Sequence, residues 1–513
     1  MIALALLIAA PVESPEARLR HLDSMAATWA PAPSPDGTRV AFLTTLFGAP
    51  QAASTAVEGG YPLQLTDEPG GVLEVRYLPS ETRQLFVVAL REGRKRLLLV
   101  DEDGTPPLEV DPTEGDQFPG GVTRDGKKLI YAVRDATRIS LRGFALDLKK
   151  SSEIVPPPPA AGTQRTTGPV PQQGSLTLED ALSNLISLGP ISPDNRAIVG
   201  LVRRSGSEAV VLVDLQSARA ELLTPVEKPA RFRQPRFSPD GRTLYVLTDA
   251  GRDLLGVDAI NVRDRVRKTV YVASAPIDAF AVSDDGHRLA VALESNGLDV
   301  FSLLDLSSLR SQPLAAPPAG AVAEGLIWDR PGERLWFGWR LSDDNTDVWQ
   351  LRLGRGTAIR LTRSPRPNLP RDAISRPALV KAGELPGWLW RPRDVPKPRV
   401  AVLVAATPVR PLFDKRIAAL NFTGVAVLAV NGPGAQKAAL AFLKQADDLD
   451  SKEPLLLDLD GLPVDEPSRW GGVVTGPGQK GGLELDPDRP DLRALVRFAL
   501  RSTAAAAKLP SSP

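Results

Sequence analysis

The stretch FSPDGRTLYVL, residues 237–247, joins a four-residue turn to alternating apolar positions. Within the turn, proline presets φ, aspartate hydrogen-bonds neighbouring backbone amides, and glycine accepts the left-handed conformation that closes it. The residues that follow alternate with the period of two that β-strands show. The stretch therefore predicts a β-hairpin, and variants of its turn at 34–37 and 283–286 indicate that the hairpin is repeated.

Seven such hairpins follow one another along the chain. The first apolar residue after each turn, six positions beyond the first turn residue, is Val40, Leu85, Leu129, Ile198, Leu244, Leu289 or Leu335. These anchors are separated by 45, 44, 69, 46, 45 and 46 residues. Repeats of this length with short strands are the signature of a β-propeller, in which each blade buries its faces against its neighbours. We therefore predict a mainly β chain with a seven-bladed propeller over 18–385.

The one long interval contains an insertion between blades three and four. Residues 156–174, PPPPAAGTQRTTGPVPQQG, are rich in proline, polar and without periodicity, which predicts an exposed linker. The segment TLEDALSNLISL follows it closely and has helix-like spacing, with a capping pattern from Thr177 to Asp180. A short helix is expected there.

The last quarter of the chain has a different pattern. The strand-like segment LPGWLWRP leads to a continuous apolar strand at 400–405, of the kind that is buried on both faces. Helix-like segments then alternate with further apolar strands at 424–431 and 455–461. This alternation predicts a small three-layer α/β domain over 386–513.

Seven blades entered through SPDG hairpins, followed by the Trp-Leu-Trp-Arg-Pro strand at 388–392, resemble the prolyl oligopeptidase family of serine peptidases. Acylaminoacyl-peptidase-like members are included in that resemblance, and the blades are also similar to TolB-like propellers. The resemblance implies that the α/β domain is α/β-hydrolase-like. It also implies a His-Gly-Gly-Pro motif after the first buried strand, a nucleophilic serine in a Gly-x-Ser-x-Gly elbow, and a histidine near the C-terminus.

The chain departs from each of these family motifs. Ala405, Ala406 and Thr407 stand where His, Gly and Gly are expected, and Pro408 alone is retained. Gly-x-Ser-x-Gly occurs nowhere, and Leu459 occupies the expected nucleophile position with no hydroxyl near it in sequence. The two histidines of the chain are far from the C-terminus, His21 before the first blade and His287 in the sixth hairpin.

These departures predict that the protein is not an enzyme, has no catalytic residues and binds no cofactor or metal. Our leading hypothesis from the sequence is a non-catalytic binding or scaffold protein whose ligand is a peptide or a protein. One alternative is a serine peptidase or esterase of the prolyl oligopeptidase family with a relocated site. Another is a TolB-like cell-envelope interaction component.

Composition narrows the classes of partner and compartment. A formal net charge of +1 gives no electrostatic footprint for nucleic acid, and the absence of cysteine excludes disulfides and thiolate chemistry. The opening MIALALLIAA is apolar but too short to span a bilayer, which needs about 20 residues. No stable membrane span is therefore expected. It is better interpreted as the core of a signal peptide over 1–17, which predicts a periplasmic or secreted protein, with a cytoplasmic one as the alternative.

Three weaker signals were assigned structural roles. The glycine-rich TGPGQKGG at 475–482 lacks the phosphate-loop pattern and is expected to be a surface loop. The acidic SDDNTD at 342–347 lacks calcium-loop spacing, so a solvated hairpin is predicted. His287 is expected to be an exposed turn residue, and the tryptophans of blade seven are expected to pack in its core.

Overall fold

The computed structural model describes residues 14–79, 83–155, 175–204, 206–224, 229–314, 317, 321–369, 373–405, 409–458, 469–475, 483–484 and 491–501. The chain divides into two compact units. The first, here called the propeller unit, comprises Ala27–Trp339 and Thr346–Ser364. The second, here called the mixed-sheet unit, comprises Met1–Ala26, Arg340–Asn345 and Pro365–Pro513.

Seven sheets of four or five consecutive strands follow one another from residue 28 to residue 360. The first three sheets are formed by β1 Thr28–Pro33, β2 Arg39–Thr44, β3 Gln51–Ala56 and β4 Leu63–Gln64; β5 Val72–Tyr77, β6 Gln84–Arg91, β7 Arg94–Asp101 and β8 Leu108–Glu109; and β9 Asp116–Val122, β10 Lys128–Arg134, β11 Ile139–Ala145 and β12 Lys150–Glu153. The fourth is formed by β13 Ser175–Leu176, β14 Leu185–Ile191, β15 Ala197–Arg204, β16 Ser207–Asp214 and β17 Ala220–Leu222.

The last three sheets repeat the four-stranded pattern. They are formed by β18 Phe232–Phe237, β19 Thr243–Thr248, β20 Gly256–Asn261 and β21 Arg267–Tyr271; β22 Ile277–Val282, β23 Arg288–Ser295, β24 Leu298–Asp305 and β25 Ser311–Pro313; and β26 Ala321–Trp328, β27 Arg334–Leu341, β28 Asp347–Arg352 and β29 Thr357–Arg360. A 3-10 helix, Leu353–Arg355, connects the last two strands.

The seven predicted anchors occupy one equivalent position. Each is the second residue of the strand that follows its turn, and each is 0% exposed: Val40, Leu85, Leu129, Ile198, Leu244, Leu289 and Leu335. The prediction of a mainly β chain with a seven-bladed propeller is confirmed.

The turn chemistry is also as the sequence indicated. In the turn of the fifth blade, the Ser238 hydroxyl donates to the Asp240 carboxylate and accepts from the Thr243 amide, 3.0 Å away. Asp240 accepts from the amide of Arg242 at 3.0 Å, and Gly241 has a φ of +71°. The same bonds recur in the turns of the first, fourth and sixth blades.

Neighbouring blades are joined by apolar contacts. Buried clusters connect blades one to six in sequence, and the rings of Phe301 and Phe337, 4.8 Å apart, link blade six to blade seven. The ring closes where Val40 and Phe42 of blade one pack against Trp336 and Val348 of blade seven. Because the strands of blade one all come from 28–64 and those of blade seven from 321–360, closure depends on packing and not on a shared strand.

The insertion between blades three and four is described only in part. The predicted linker, 156–174, lies outside the described residues. The expected helix is present as α2, Leu178–Leu182, and the Thr177 side chain caps it by accepting from the Asp180 amide. The helix ends earlier than the spacing predicted, because the following apolar residues form β14.

The mixed-sheet unit contains a seven-stranded sheet. Its strands are β30 Ala378–Ala382, β31 Leu385–Trp390, β32 Arg399–Ala405, β33 Val425–Asn431, β34 Asp450–Asp458, β35 Gly472–Thr475 and β36 Leu483–Glu484, in the order β30-β31-β33-β32-β34-β35-β36. Strand β31 is antiparallel to both of its neighbours, β30 and β33, and β33, β32, β34, β35 and β36 are parallel. The helices of this unit are α1 Pro15–Asp23, α3 Lys415–Phe422, α4 Ala435–Gln445 and α5 Leu492–Arg501.

Helices cover both faces of this sheet. Residues of α4 pack on one face with Val402, Val404 and Leu456, and residues of α3 and α5 pack on the other with Leu403 and Leu457. Helix α1 packs outside α3 and α5 through Leu19 and Leu22. For this reason residues 18–26, and the segment 365–385 that leads into and includes β30, lie in this unit and not in the span of 18–385 that the repeat pattern predicted.

Among the described residues, no helix has the length and apolar content needed to cross a membrane. Residues 1–13 are outside the described ranges, so the signal peptide and the compartment remain predictions.

Candidate functional site

The carboxyl ends of the parallel strands define the candidate site. In α/β sheets of this kind, ligands bind outside the carboxyl ends of the strands, where loops bring side chains from several strands together. The last residues of β32, β33, β34 and β35 are Ala405, Asn431, Asp458 and Thr475. The register pairs Ala405 with Asn431 and Asp458 with Thr475, so these residues end at one level of the sheet.

Asp458 and Thr475 form the chemically most notable pair at this edge. They are partners in adjacent parallel strands, and their side chains are 2% and 5% exposed. Asp458 lies two residues beyond Leu456, so it is on the face that α4 covers. The Thr475 hydroxyl is buried with no hydrogen-bond partner among the described residues. The two residues are thus neighbours by register, but the hydroxyl makes no hydrogen bond to the Asp458 carboxylate in this structure. Activation of a nucleophile by a base needs the two groups within about 2.6 to 3.2 Å, so a change of side-chain rotamer has to precede it.

The opposite face carries a second polar group. The Asp414 side chain caps α3 by accepting from the Arg416 amide at 2.7 Å, and its carboxylate accepts twice from the Arg416 Nε, at 3.0 and 3.1 Å. Burial alone would raise the pKa of Asp414, but the charge and hydrogen bonds of Arg416 outweigh it and lower the pKa. The pair lines a cavity of about 10 Å³ together with Leu403 and Leu457, which is room for one water. The charge of Arg416 is therefore balanced by Asp414, on the face of the sheet opposite to Asp458 and Thr475.

Asn431, at the end of β33, is the remaining polar group of the edge. Its side-chain oxygen is buried and has no hydrogen-bond partner among the described residues. A buried amide oxygen without a partner is unusual in a folded protein and is most often found where a ligand or water binds.

The residues that the family resemblance singled out lie at the same edge where they can be placed. Ala405 ends β32, which is the strand predicted at 400–405. Ala406, Thr407, Pro408 and Leu459 lie outside the described residues, so their roles remain predictions. Leu459 follows Asp458 directly in the chain.

The hydroxyl beside this strand was not predicted from the sequence. No hydroxyl is near Leu459 along the chain, whereas the sheet register puts Thr475 next to Asp458. The signal was present in GGVVT at 471–475, an apolar run ending in threonine, but that threonine was assigned to a surface loop. The structure places it in β35, and the rest of that loop, 476–482, is outside the described residues.

The acidic segment at 342–347 differs from its prediction. The three aspartates are 5%, 2% and 1% exposed, so the expected solvated hairpin is wrong. Each is paired with an arginine from later in the chain: Asp343 with Arg376 at 2.7 Å, Asp344 with Arg366 at 3.5 Å, and Asp347 with Arg360. In the part of the chain that the structure describes, no group of three acidic, histidine or cysteine residues is arranged to hold a metal.

The other predicted positions are ordinary. His287 is an exposed turn residue whose amide donates to Asp285 at 2.9 Å, and His21 lies on α1. The tryptophans of the seventh blade are buried, with Trp336 at 0% and Trp339 at 1% exposure.

Known proteins resemble this chain in structure and not in sequence. No family model and no curated protein match the chain. Solved structures do match it across 91% of its length. They include a prolyl endopeptidase (13% identity, 74% of that chain, TM-score 0.69), a puromycin hydrolase (13%, 79%, 0.70) and a puromycin-hydrolysing peptidase of Mycobacterium tuberculosis (16%, 79%, 0.67).

The fold is that of the prolyl oligopeptidases. The resemblance drawn from the SPDG hairpins and the Trp-Leu-Trp-Arg-Pro strand is thereby confirmed at the level of the fold. At identities of 13% to 16% the comparison says nothing further about which residues act.

The comparison contradicts the expectation of a non-catalytic protein. The prolyl oligopeptidase-like fold is shared here with peptidases and a hydrolase, so the prediction of a non-enzymatic binding, scaffold or TolB-like protein is wrong. Its weakness was to infer lost chemistry from lost linear motifs. Catalytic groups are recognised by their geometry and roles, and the same constellation arises in different chain orders.

Proposed function

We propose that the protein is a hydrolase of peptide or related amide bonds, with its reacting groups at the carboxyl edge of an α/β-hydrolase-like sheet. The observation that supports this most strongly is the similarity to peptidases over 91% of the chain, which spans both compact units. A mixed sheet with helices on both faces is the architecture on which α/β-hydrolases present a nucleophile at the end of a strand. Asp458 and Thr475 stand at such strand ends.

The chemistry that we assign to this pair is acyl transfer. The Asp458 carboxylate takes the proton of the Thr475 hydroxyl as the hydroxyl oxygen attacks the substrate carbonyl. The carbon–nitrogen bond breaks, the amine leaves with a proton, and water then hydrolyses the ester formed on the threonine. Thr475 is only 5% exposed, so attack on a substrate requires a more open state than the one described.

Hydrolysis assays on the purified full chain test the proposal. The substrates are puromycin and a proline-containing peptide anilide, chosen because similar folds belong to a puromycin hydrolase and a prolyl endopeptidase. Loss of a general base lowers turnover by about 10² to 10⁴-fold, so Asp458→Asn should lose at least about 100-fold in kcat. Asp450→Asn is the matched control, because Asp450 begins the same strand at the opposite edge of the sheet.

A fluorophosphonate probe identifies the nucleophile independently. We expect it to label the protein at Thr475 and to label Asp458→Asn far more slowly. Label found on a serine instead would show that the site lies elsewhere on the same fold. Hydrolysis no faster than background with both substrates, together with no labelling, would refute the proposal.

A further inference from the structure

The propeller unit contains a cavity of about 950 Å³. It lies where the first strand of each blade ends and the turn to the second strand begins, and every one of the seven blades contributes to its lining. A volume of this size is at the upper end of the range of about 300 to 1,000 Å³ found for ligand pockets.

The charge of this cavity is strongly positive for a chain whose formal net charge is only +1. Its charged lining residues are Arg76, Arg124, Arg236, Arg330 and a single carboxylate, Asp284. The excess is three positive charges, or two once the ion pair between Arg76 and Glu74, at 2.6 Å, is counted. Positive charge concentrated in a recess attracts anions more strongly than the same charge on an open surface.

Three of these guanidinium groups make no ion pair. Among the described residues, no carboxylate lies within ion-pair distance of Arg124, Arg236 or Arg330, although the charge of Asp284 acts on Arg124 and Arg330, and that of Glu74 on Arg236, from farther away. Arg236 donates to the carbonyl of Pro235, at 2.9 Å, and Arg330 to the carbonyl of Pro79, at 3.0 Å. All three side chains are exposed, so their charges are accessible to a ligand that enters the cavity.

Arg236 is the best placed of the three. It is reachable by solvent from inside the cavity, while protein atoms surround it on the other sides. Desolvation and repulsion from Arg76 lower the pKa of Arg236, against the attraction of Glu74, and the group stays charged at neutral pH. The register of its strand is shifted between Arg233 and Arg236, and Gln234 in that bulge bonds across to Phe280 and Asp278 of the next blade. The strand that presents Arg236 is therefore braced in place.

The uncharged lining combines the serines of four blade turns with apolar residues. Four prolines of the blade turns, Pro35, Pro79, Pro193 and Pro239, line the cavity together with Tyr77 and Trp328. The Trp328 indole is fixed by donating to the carbonyl of Ala281 at 3.0 Å, and the Arg288 guanidinium lies 5.2 Å from its ring centre. Such a surface offers apolar contacts between the charged positions.

We propose that this cavity binds an acidic peptide segment. The four arginines belong to blades two, three, five and seven, so their charges are distributed around the cavity. A single small anion can engage only part of such a set, whereas carboxylates spaced along an extended peptide can engage several arginines, each through the two-pronged geometry that guanidinium offers to carboxylate. The prolines and aromatic rings contact the intervening chain. This binding site is independent of the hydrolytic site in the mixed-sheet unit and is tested without it.

The test is fluorescence anisotropy of fluorescein-labelled hexaglutamate with the full-length protein, at low and moderate salt. Labelled hexaglutamine and hexalysine are the charge controls, and inorganic phosphate and ATP are the competitors. We expect saturable binding of hexaglutamate alone, weakened by salt because charges carry it. Arg236→Gln should weaken binding at least tenfold, which corresponds to about 1.4 kcal/mol. Arg330→Gln, at an exposed position of the same cavity, should also weaken it and does not disturb the braced strand.

The matched control is Arg242→Gln. Arg242 is in the turn of the same blade, its side chain is 85% exposed, and it does not line the cavity, so its loss should change the affinity less than twofold. Unaltered binding in both Arg236→Gln and Arg330→Gln, or an equal loss in Arg242→Gln, overturns the site. Displacement of hexaglutamate by phosphate or ATP at lower concentration than by unlabelled peptide overturns the peptide as the ligand.

Discussion

Replacing Thr475 by valine separates the stability of the mixed-sheet unit from the activity proposed for it. Valine keeps nearly the shape of threonine and removes only the hydroxyl. That hydroxyl is buried in a residue 5% exposed and has no hydrogen-bond partner among the described residues. Burial of an unpaired hydroxyl costs about 1 to 3 kcal/mol in proteins. Thr475→Val should therefore raise the free energy of unfolding by about 1 to 2 kcal/mol, while hydrolysis falls to background.

The chain offers a matched control for this substitution. Thr55 in the propeller unit is 3% exposed, and its hydroxyl also lacks a partner among the described residues. Thr55→Val should give a similar gain in stability with unchanged hydrolysis. A gain in stability together with a loss of hydrolysis is expected only at a site where an unfavourable arrangement is retained for function.

Differential scanning calorimetry is the appropriate assay, because two compact units can unfold in separate steps that a single optical probe would merge. For a unit of about 180 residues, such as the mixed-sheet unit, a gain of 1 kcal/mol raises Tm by about 2 to 4 °C. A lower Tm for Thr475→Val would show that the hydroxyl has a partner after all. Full hydrolysis by the stabilised variant would exclude Thr475 as the nucleophile.

Three further predictions concern the fold. Val427→Ala, at a position 0% exposed in the mixed sheet, should cost about 2 kcal/mol by leaving a cavity, whereas Val395→Ala, at 36% exposure, should cost under about 0.5 kcal/mol in urea unfolding. Gly286→Ala should destabilise the protein more than Gly37→Ala. Both positions have positive φ, but only the Cβ added at 286 meets other atoms, with the Cδ of Pro239 at 2.8 Å. Equal losses in the free energy of unfolding would contradict this. Hydrogen bonds from the turn hydroxyls and amides lower the pKa of the turn carboxylates Asp125, Asp240 and Asp285. The stability that these carboxylates contribute should therefore be full above pH about 4 and be lost as pH drops through their folded pKa values. A free energy of unfolding that stays constant from pH 5 to 2 would contradict this.

The propeller could be predicted from the sequence because its determinants are local and repeated. Each turn closes through bonds among residues at most five apart, such as Ser238, Asp240 and Thr243. Each anchor follows its turn at a fixed distance, so seven weak signals reinforce one another. The five-stranded sheet of blade four follows from β13, a two-residue strand after the linker that no pattern marks.

The candidate site could not be predicted in the same way, because its groups come together only through the tertiary fold. Asp458 and Thr475 are neighbours through the register of β34 and β35, and neither belongs to a recognisable motif. The burial of the acidic segment at 342–347 could not be predicted for a related reason. Its aspartates are charged, and their desolvation is offset by ion pairs with arginines at 360, 366 and 376, which are distant in the sequence.

The absence of family motifs therefore has a narrower meaning than the sequence suggested. A Gly-x-Ser-x-Gly elbow is one local solution for presenting a nucleophile at the end of a strand, and its loss removes that solution only. What the fold retains is the edge itself, where parallel strands end together and where Asn431, Asp458 and Thr475 carry polar groups that packing does not require. A sheet kept only for structure gains nothing from burying an unpaired hydroxyl and an unpaired amide oxygen at that edge, because each costs stability that an apolar residue would restore. Among the described residues, Thr55 carries an equally unpaired buried hydroxyl in the propeller unit, so such a group is not by itself a sign of chemistry, and it is the comparison of Thr475→Val with Thr55→Val that decides whether the edge is kept for function.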